Sequence, residues 1–154
     1  MFPLKKILCP IDFSKPSLNA LKAAVEIAEQ NSSELTLLHV VQPAPPVPAP
    51  GVPASYMSEG YYEERTAAAE KSFAEIVSER IPEGLAVRTK VVRGQAADEI
   101  VQEAESEKAD LIVTATHGWT GWRRFIFGSV AEKVLRLAPC PVLTVPKPAE
   151  AGDR

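Results

Sequence analysis

Gly118, Gly128 and Ser129 are spaced so that a chain could hold an anion largely with its own backbone. They lie in the stretch Ala115–Val130, ATHGWTGWRRFIFGSV, between an apolar run, ADLIVT, and an amphipathic one, AEKVLRL. Glycine at 118 lets the backbone approach a ligand with no Cβ in the way. Gly128 and Ser129 directly before a helix would offer unpaired N–H groups, a hydroxyl and the positive end of the helix dipole, which suits phosphate. A strand–loop–helix junction with a glycine and an N-cap serine is also common where nothing binds, and both readings stand on these residues alone. The P-loop pattern G-x-x-x-x-G-K-[ST] is absent, and so is the dinucleotide pattern G-x-G-x-x-G.

Other residues near these glycines invite a role. His117 has no partner carboxylate close in sequence, so it reads as a histidine that hydrogen-bonds within its loop rather than as a catalyst. Arg123 and Arg124 read either as phosphate contacts or as a solvated pair, and Trp119 and Trp122 as packing residues before base-stacking ones. His39 falls inside an apolar strand pattern and reads as a satisfied core histidine. Asp12, in PIDFS, reads either as a ligand contact or as an acceptor of local N–H groups at the start of a helix.

The elements that must position these residues alternate along the chain. Strand-length apolar runs occupy Lys5–Ile11, Glu34–Val41, Ala86–Val92, Ala109–Ala115 and Pro141–Val145. Most are nearly continuous in apolar residues, as strands buried on both faces should be. The third alternates and reads as an edge strand. Four helix patterns lie between them. Ser14 caps the first, with Pro16 in its opening turn, and Leu18, Leu21, Val25 and Ala28 form its inner face. The second covers Glu59–Arg80; Ala97, Ile100, Val101 and Ala104 mark the third; Val130, Val134 and Leu137 mark the inner face of the fourth. The order β-α-β-α-β-α-β-α-β calls for an open, doubly wound parallel sheet with right-handed crossovers and helices on both faces, an α/β fold. In such a sheet ligands bind beyond the carboxyl ends of the strands, where the chain order reverses.

Bulk properties bound the rest. At 154 residues the chain suits one domain that buries about two-thirds of its unfolded surface. A formal charge of −3 gives no bulk attraction to nucleic acid or anionic membrane. No apolar run approaches the roughly 18 residues of a transmembrane helix, and the start of the chain does not read as an export signal, so the expectation is a cytoplasmic protein. Cys9 and Cys140 stand outside any CxxC or Cys/His cluster and read as small hydrophobes of a reducing compartment, with no metal role. Gln42–Ser58 is Pro-rich and reads as an exposed, mobile connection within a domain covering 4–147; residues 148–154 read as a disordered tail.

The chain resembles the universal stress proteins of the UspA-like family. The likeness rests on KKILCPIDFS, on LTLLHVV, and on ADLIVTATHGWTGWRRFIFGSVAEKVLRLAPCPVLTV. It implies the strand order 3-2-1-4-5, with Asp12 and the start of the glycine loop facing one crevice. The family's nucleotide-binding branch is similar to G-x-x-G-x9-G-[ST]; here Gly118, the spacer, Gly128 and Ser129 match, and Ala115 stands where the first glycine would be. Carried over, the resemblance implies Pro10 and Asp12 on the adenosine side, with the Asp12 carboxylate near ribose or a bound Mg or Mn ion. It implies Val40 at adenine through its backbone and Thr114 and Ala115 beside ribose and phosphates. Gly118, Gly128, Ser129 and Val130 would lie on the phosphate chain of ATP. A methyl at 115 would crowd that ligand, or strain the backbone if the position needs φ > 0, at roughly 1–2 kcal/mol.

The expected function is ATP binding in a stress response, with no or slow hydrolysis. No nucleophile–base pair is visible, and the SGGxDS and HIGH signatures of related nucleotide enzymes are missing. The alternative is a dimeric regulatory module with no nucleotide. The resemblance puts the β-prone terminal strand Pro141–Val145 at a sheet edge, where pairing with a second copy into a homodimer is expected.

Overall fold

The computed structural model describes residues 3–43, 50–51, 59–117 and 127–148. Nine elements run in the order β1 (Lys6–Pro10), α1 (Lys15–Asn31), β2 (Glu34–Val41), α2 (Glu59–Arg80), β3 (Val87–Arg93), α3 (Ala96–Glu107), β4 (Leu111–Ala115), α4 (Ser129–Leu137) and β5 (Val142–Val145). The five strands form one parallel sheet in the order β3-β2-β1-β4-β5. The α/β class and the strand order are as expected. The Pro-rich connection falls largely on 44–49 and 52–58 and the tail on 149–154, which lie outside the described residues.

Two apolar layers sandwich the sheet. On one face Ile7, Cys9, Leu35 and Leu37 pack with Leu21, Val25 and Ala28 of α1 and Phe73 and Ile76 of α2. On the other, Leu8, Leu38 and Ile112 pack with Ile100 and Ala104 of α3 and Val134 of α4. Consecutive strand residues thus feed opposite layers, which is why β1, β2 and β4 are apolar without alternation. The edge strand β3 differs: Arg88, Thr89 and Lys90 are exposed. Its cations pair inward, Arg88 with Glu34 at 2.5 Å and Glu107 at 3.1 Å, Lys90 with Glu103 at 2.5 Å.

Local signals set the helix ends. Ser14 caps α1, its hydroxyl accepting from the Ser17 amide at 3.3 Å, with proline in the first turn. Ser32 and Lys108 close α1 and α3 in the left-handed conformation, their amides returning to the last carbonyls. α4 is turned from its expected setting. Ala131 and Val134 face the core, while Val130 and Leu137 are 36% and 48% exposed. Val134 packs there among Ile100, Ala104 and Ile112, and Ala131 is buried beside it.

Candidate functional site

The carboxyl ends of β1, β2 and β4 open onto one crevice of about 880 Å³, closed laterally by α2 and by the N-terminal turns of α3 and α4. It sits at the reversal of chain order, with β1 flanked by β2 on one side and β4 on the other. Eight of the nine candidate residues line it: Pro10, Asp12, Val40, Thr114, Ala115, Gly128, Ser129 and Val130. Gly118 lies outside the described residues, as do Trp119, Trp122, Arg123 and Arg124.

The turn after β1 is built for display. Phe13 holds φ = 64°, the left-handed region that bulky residues rarely enter. The turn is held by Asp12, whose Oδ1 accepts from the Ser14 amide at 2.9 Å and from the Ser14 hydroxyl. Local N–H bonding at Asp12 and a place on the crevice wall therefore coexist.

At the other side, the Gly128 amide donates to the Thr116 carbonyl at 2.8 Å, tying the start of α4 to the end of β4. Gly128 is the N-cap, with an ordinary φ of −59°, and Ser129 is the first helical residue; the serine is not the cap. No side chain caps this end, so the first-turn amides of Ser129, Val130 and Ala131 face a crevice that all three residues line. A Cβ on Gly128 would meet the Thr116 carbonyl oxygen at 3.4 Å. That is an ordinary van der Waals contact, so the approach of the two backbones does not itself require glycine.

Ala115 ends β4, paired with Val145, and is 9% exposed. Its backbone is that of a strand and is not among the positive-φ positions, so the strain envisaged for an L-residue here does not arise. Its methyl occupies the crevice floor.

His117 Nδ1 lies 2.9 Å from the Thr116 hydroxyl, a bond within the loop as expected, and its Nε2 is buried with no described partner. His39 is half-buried rather than sealed in the core; Nδ1 lies 2.7 Å from the Ile11 carbonyl, and the ring lines the crevice. The sequence did not point to Phe13, Tyr61, Arg65 or Ser72 as crevice residues. Tyr61, Arg65 and Ser72 come from α2, beyond the Pro-rich connection, and their only signal is placement on the helix flank beside buried Ala69 and Phe73.

Burial pushes the Cys9 thiol up to about 12, and Cys140 is also raised, by partial burial and then by the Asp110 carboxylate. Neither cysteine lines the crevice. Among the described residues no group of three or more His, Cys, Asp or Glu could hold a metal ion, and no helix is long and apolar enough to cross a membrane.

An open five-stranded parallel sheet with helices on both faces and a crevice at its switch point defines a small protein of the doubly wound α/β class. Within that class the chain belongs to the universal stress protein family, whose sequence pattern it matches over residues 3–146. It is 40% identical over 144 residues to universal stress protein MJ0531 of Methanocaldococcus jannaschii, covering 94% of this chain and 83% of that protein. Among solved structures it is similar to the hypothetical protein MJ0577, at 30% identity and a TM-score of 0.81, over 96% of this chain and 99% of that one. The same fold recurs at about 20% identity in two nucleotide complexes. A universal stress protein with cAMP is 21% identical with a TM-score of 0.65, over 94% of this chain and 98% of that one. One from Archaeoglobus fulgidus with dAMP is 20% identical with a TM-score of 0.61, over the same shares.

Proposed function

We propose that this protein binds ATP in the crevice as part of a cytoplasmic stress response, holding the nucleotide with no or slow hydrolysis. The observation that carries the reading is the uncapped start of α4 at Gly128–Val130, on the same crevice as Asp12 and the ends of β2 and β4. First-turn amides and the helix dipole are worth most to a charged oxygen held between them. Gly128 and Ser129 would hold the phosphates, with Gly118 and Val130 beside them. Pro10 and Val40 would flank adenine, the latter through its backbone, and Thr114, Ala115 and Asp12 would surround the ribose.

The donor set fits a nucleotide better than a metal held by protein alone. Asp12 is the one carboxylate on the crevice wall among the described residues, so a Mg or Mn ion would share phosphate oxygens with it. When bound, such an ion would neutralise phosphate charge; the chain's part is to place one carboxylate beside it. In this reading hydrolysis is slow: His39 and His117 are both engaged through Nδ1, with the Ile11 carbonyl and the Thr116 hydroxyl.

The working unit in this reading is a homodimer joined through β5. Leu143 on that edge strand is 39% exposed, leaving an apolar side chain on the open border of the sheet.

The decisive experiment is calorimetric titration of ATP, with and without Mg, into wild type and Ser129→Ala. Binding by wild type, weakened about two- to tenfold in the variant, supports the reading (~0.5–1.5 kcal/mol for one hydrogen bond). No heat with wild type leaves the nucleotide-free dimeric module in its place.

A further inference from the structure

The crevice has two sides, and the nucleotide reading draws mainly on one of them, with Ala115 its contact in the α1/α2 layer. Leu38, Val40 and Ile100 belong to the α3/α4 layer, together with the start of α4. Phe13, His39, Tyr61, Arg65, Ala68 and Ser72 line the α1/α2 side. The sheet's carboxyl edge separates the two, since side chains 38 and 39 of β2 point to opposite faces.

Three features make the second side a recognition surface. First, the Ile11 carbonyl can only accept, so the His39 Nδ1 at 2.7 Å carries the proton in the bond, and the tautomer with its one proton there has Nε2 as an acceptor. Among the described residues that Nε2 has no hydrogen-bond partner, and the half-buried ring lines the crevice, so a donor there can reach it. Second, Arg65 lies over the Tyr61 ring, 5.1 Å from its centroid, with no described carboxylate paired to it. Stacking orients the guanidinium while its N–H groups stay available to an anion. Third, the Phe13 ring is held 4.7 Å from His39 and 5.2 Å from Phe73 by a backbone in the left-handed region. Such strain persists only where the surroundings enforce it.

From these, and resting on the nucleotide reading above, we infer that the α1/α2 side of the crevice takes a second adenylate group. A planar ring suits Phe13 and Tyr61, a ring amine suits His39 Nε2, and a phosphate suits Arg65. The volume of about 880 Å³ lies near the top of the roughly 300–1,000 Å³ range of small-molecule sites. The second adenylate arrives either tethered, as the far half of a dinucleoside polyphosphate, or as a separate mononucleotide.

Three titrations into wild type, Arg65→Ala and His39→Phe test this: ATP, diadenosine tetraphosphate, and AMP added to ATP-saturated protein. Arg65 is on the exposed flank of α2, so Arg65→Ala should fold normally, which the melting temperature checks. A tethered group is expected to give dinucleotide binding at least tenfold tighter than ATP, with no AMP heat over saturating ATP. A separate mononucleotide is expected to give a second one-to-one AMP event. In either case Arg65→Ala and His39→Phe should abolish the additional binding and leave ATP affinity within twofold. The proposal is overturned if AMP adds no heat and the dinucleotide stays within threefold of ATP. It is equally overturned if Arg65→Ala weakens ATP as much as the other ligands. Should ATP fail to bind wild type while AMP or the dinucleotide binds in an Arg65-dependent way, the glycine-end reading falls and the second side stands. Silence from all three ligands overturns both.

Discussion

The Gly128 amide and the Thr116 carbonyl are joined by a 2.8 Å hydrogen bond, so α4 starts from the strand end that forms the crevice floor. The segment between β4 and α4 leaves and returns at nearly one point. That bond ties the first α4 amides to the end of β4.

The Ala115→Gly variant should change ATP affinity by less than about threefold, or ~0.6 kcal/mol. Ala115 has a strand backbone that needs no glycine, and removing its methyl widens the floor without opening a blocked passage. Calorimetry on the two proteins checks this. Binding that appears only in the glycine variant would show that the methyl obstructs the ligand.

Leu143→Glu should convert the chain to a monomer at micromolar concentration while the fold persists. The residue is 39% exposed on β5, so a carboxylate there is solvated in the monomer and buried against its own copy in a pair joined through that edge. Sedimentation mass alongside circular dichroism gives the answer. A wild-type mass of one chain would remove the premise.

Only one of the two thiols should react with an aromatic disulfide reagent in the native state at mildly alkaline pH. Cys9 is fully buried and pushed up to about 12, whereas Cys140, also raised by burial, is partly exposed. The thiolate is the attacking species, so Cys140 reacts slowly and Cys9 only on unfolding. Counting the thiols released before and after denaturation tests the order. Fast loss of both would mean that the core opens readily.

Asp110→Ala should destabilise the protein modestly at neutral pH, by roughly 0.5–1 kcal/mol, because solvent screens the exposed carboxylate. The carboxylate accepts from the Lys5 and Lys6 amides at 2.8 and 2.9 Å, and these bonds hold its pKa below the ordinary 3.8. A carboxyl lowered on folding stabilises the folded state above its unfolded value, and that contribution fades as pH falls through the lower folded value. The gap between wild type and variant, from urea unfolding, should therefore be constant near neutrality and narrow below about pH 4. A gap independent of pH down to 2 would show that charge has no part in it.

Much of the fold was legible because burial writes itself into pattern. Continuous apolar runs marked β1, β2 and β4 as strands covered on both faces, and the alternation of β3 marked an edge. Ser14 and Pro16 gave the start of α1. Strand order was not legible from periodicity, since each inner strand would bury similar surface beside several neighbours; it came through the resemblance. Around the crevice, residues fixed by strand ends and backbone were the readable ones. The left-handed turn at Phe13 had no glycine to announce it, and the setting of α4 depends on the fit of Ala131 and Val134 beneath it. Tyr61 and Arg65 reach the crevice only through the packing of α2, whose core contacts are Ala69, Phe73 and Ile76. No local spacing links that helix to Asp12.

The two borders of the sheet are unlike. Along β3, Arg88 and Lys90 are exposed, and their charges are bound to Glu34, Glu107 and Glu103 of the same chain. A strand laid against that border would have to dehydrate cations already committed elsewhere, while the β5 border offers Leu143 and open backbone. A molecule with one adhesive margin and one blunt margin can recruit a single copy of itself and then has no sticky margin left. In the proposed β5 dimer, edge-on growth would stop at two, and the protein would accumulate to high concentration without polymerising into fibres.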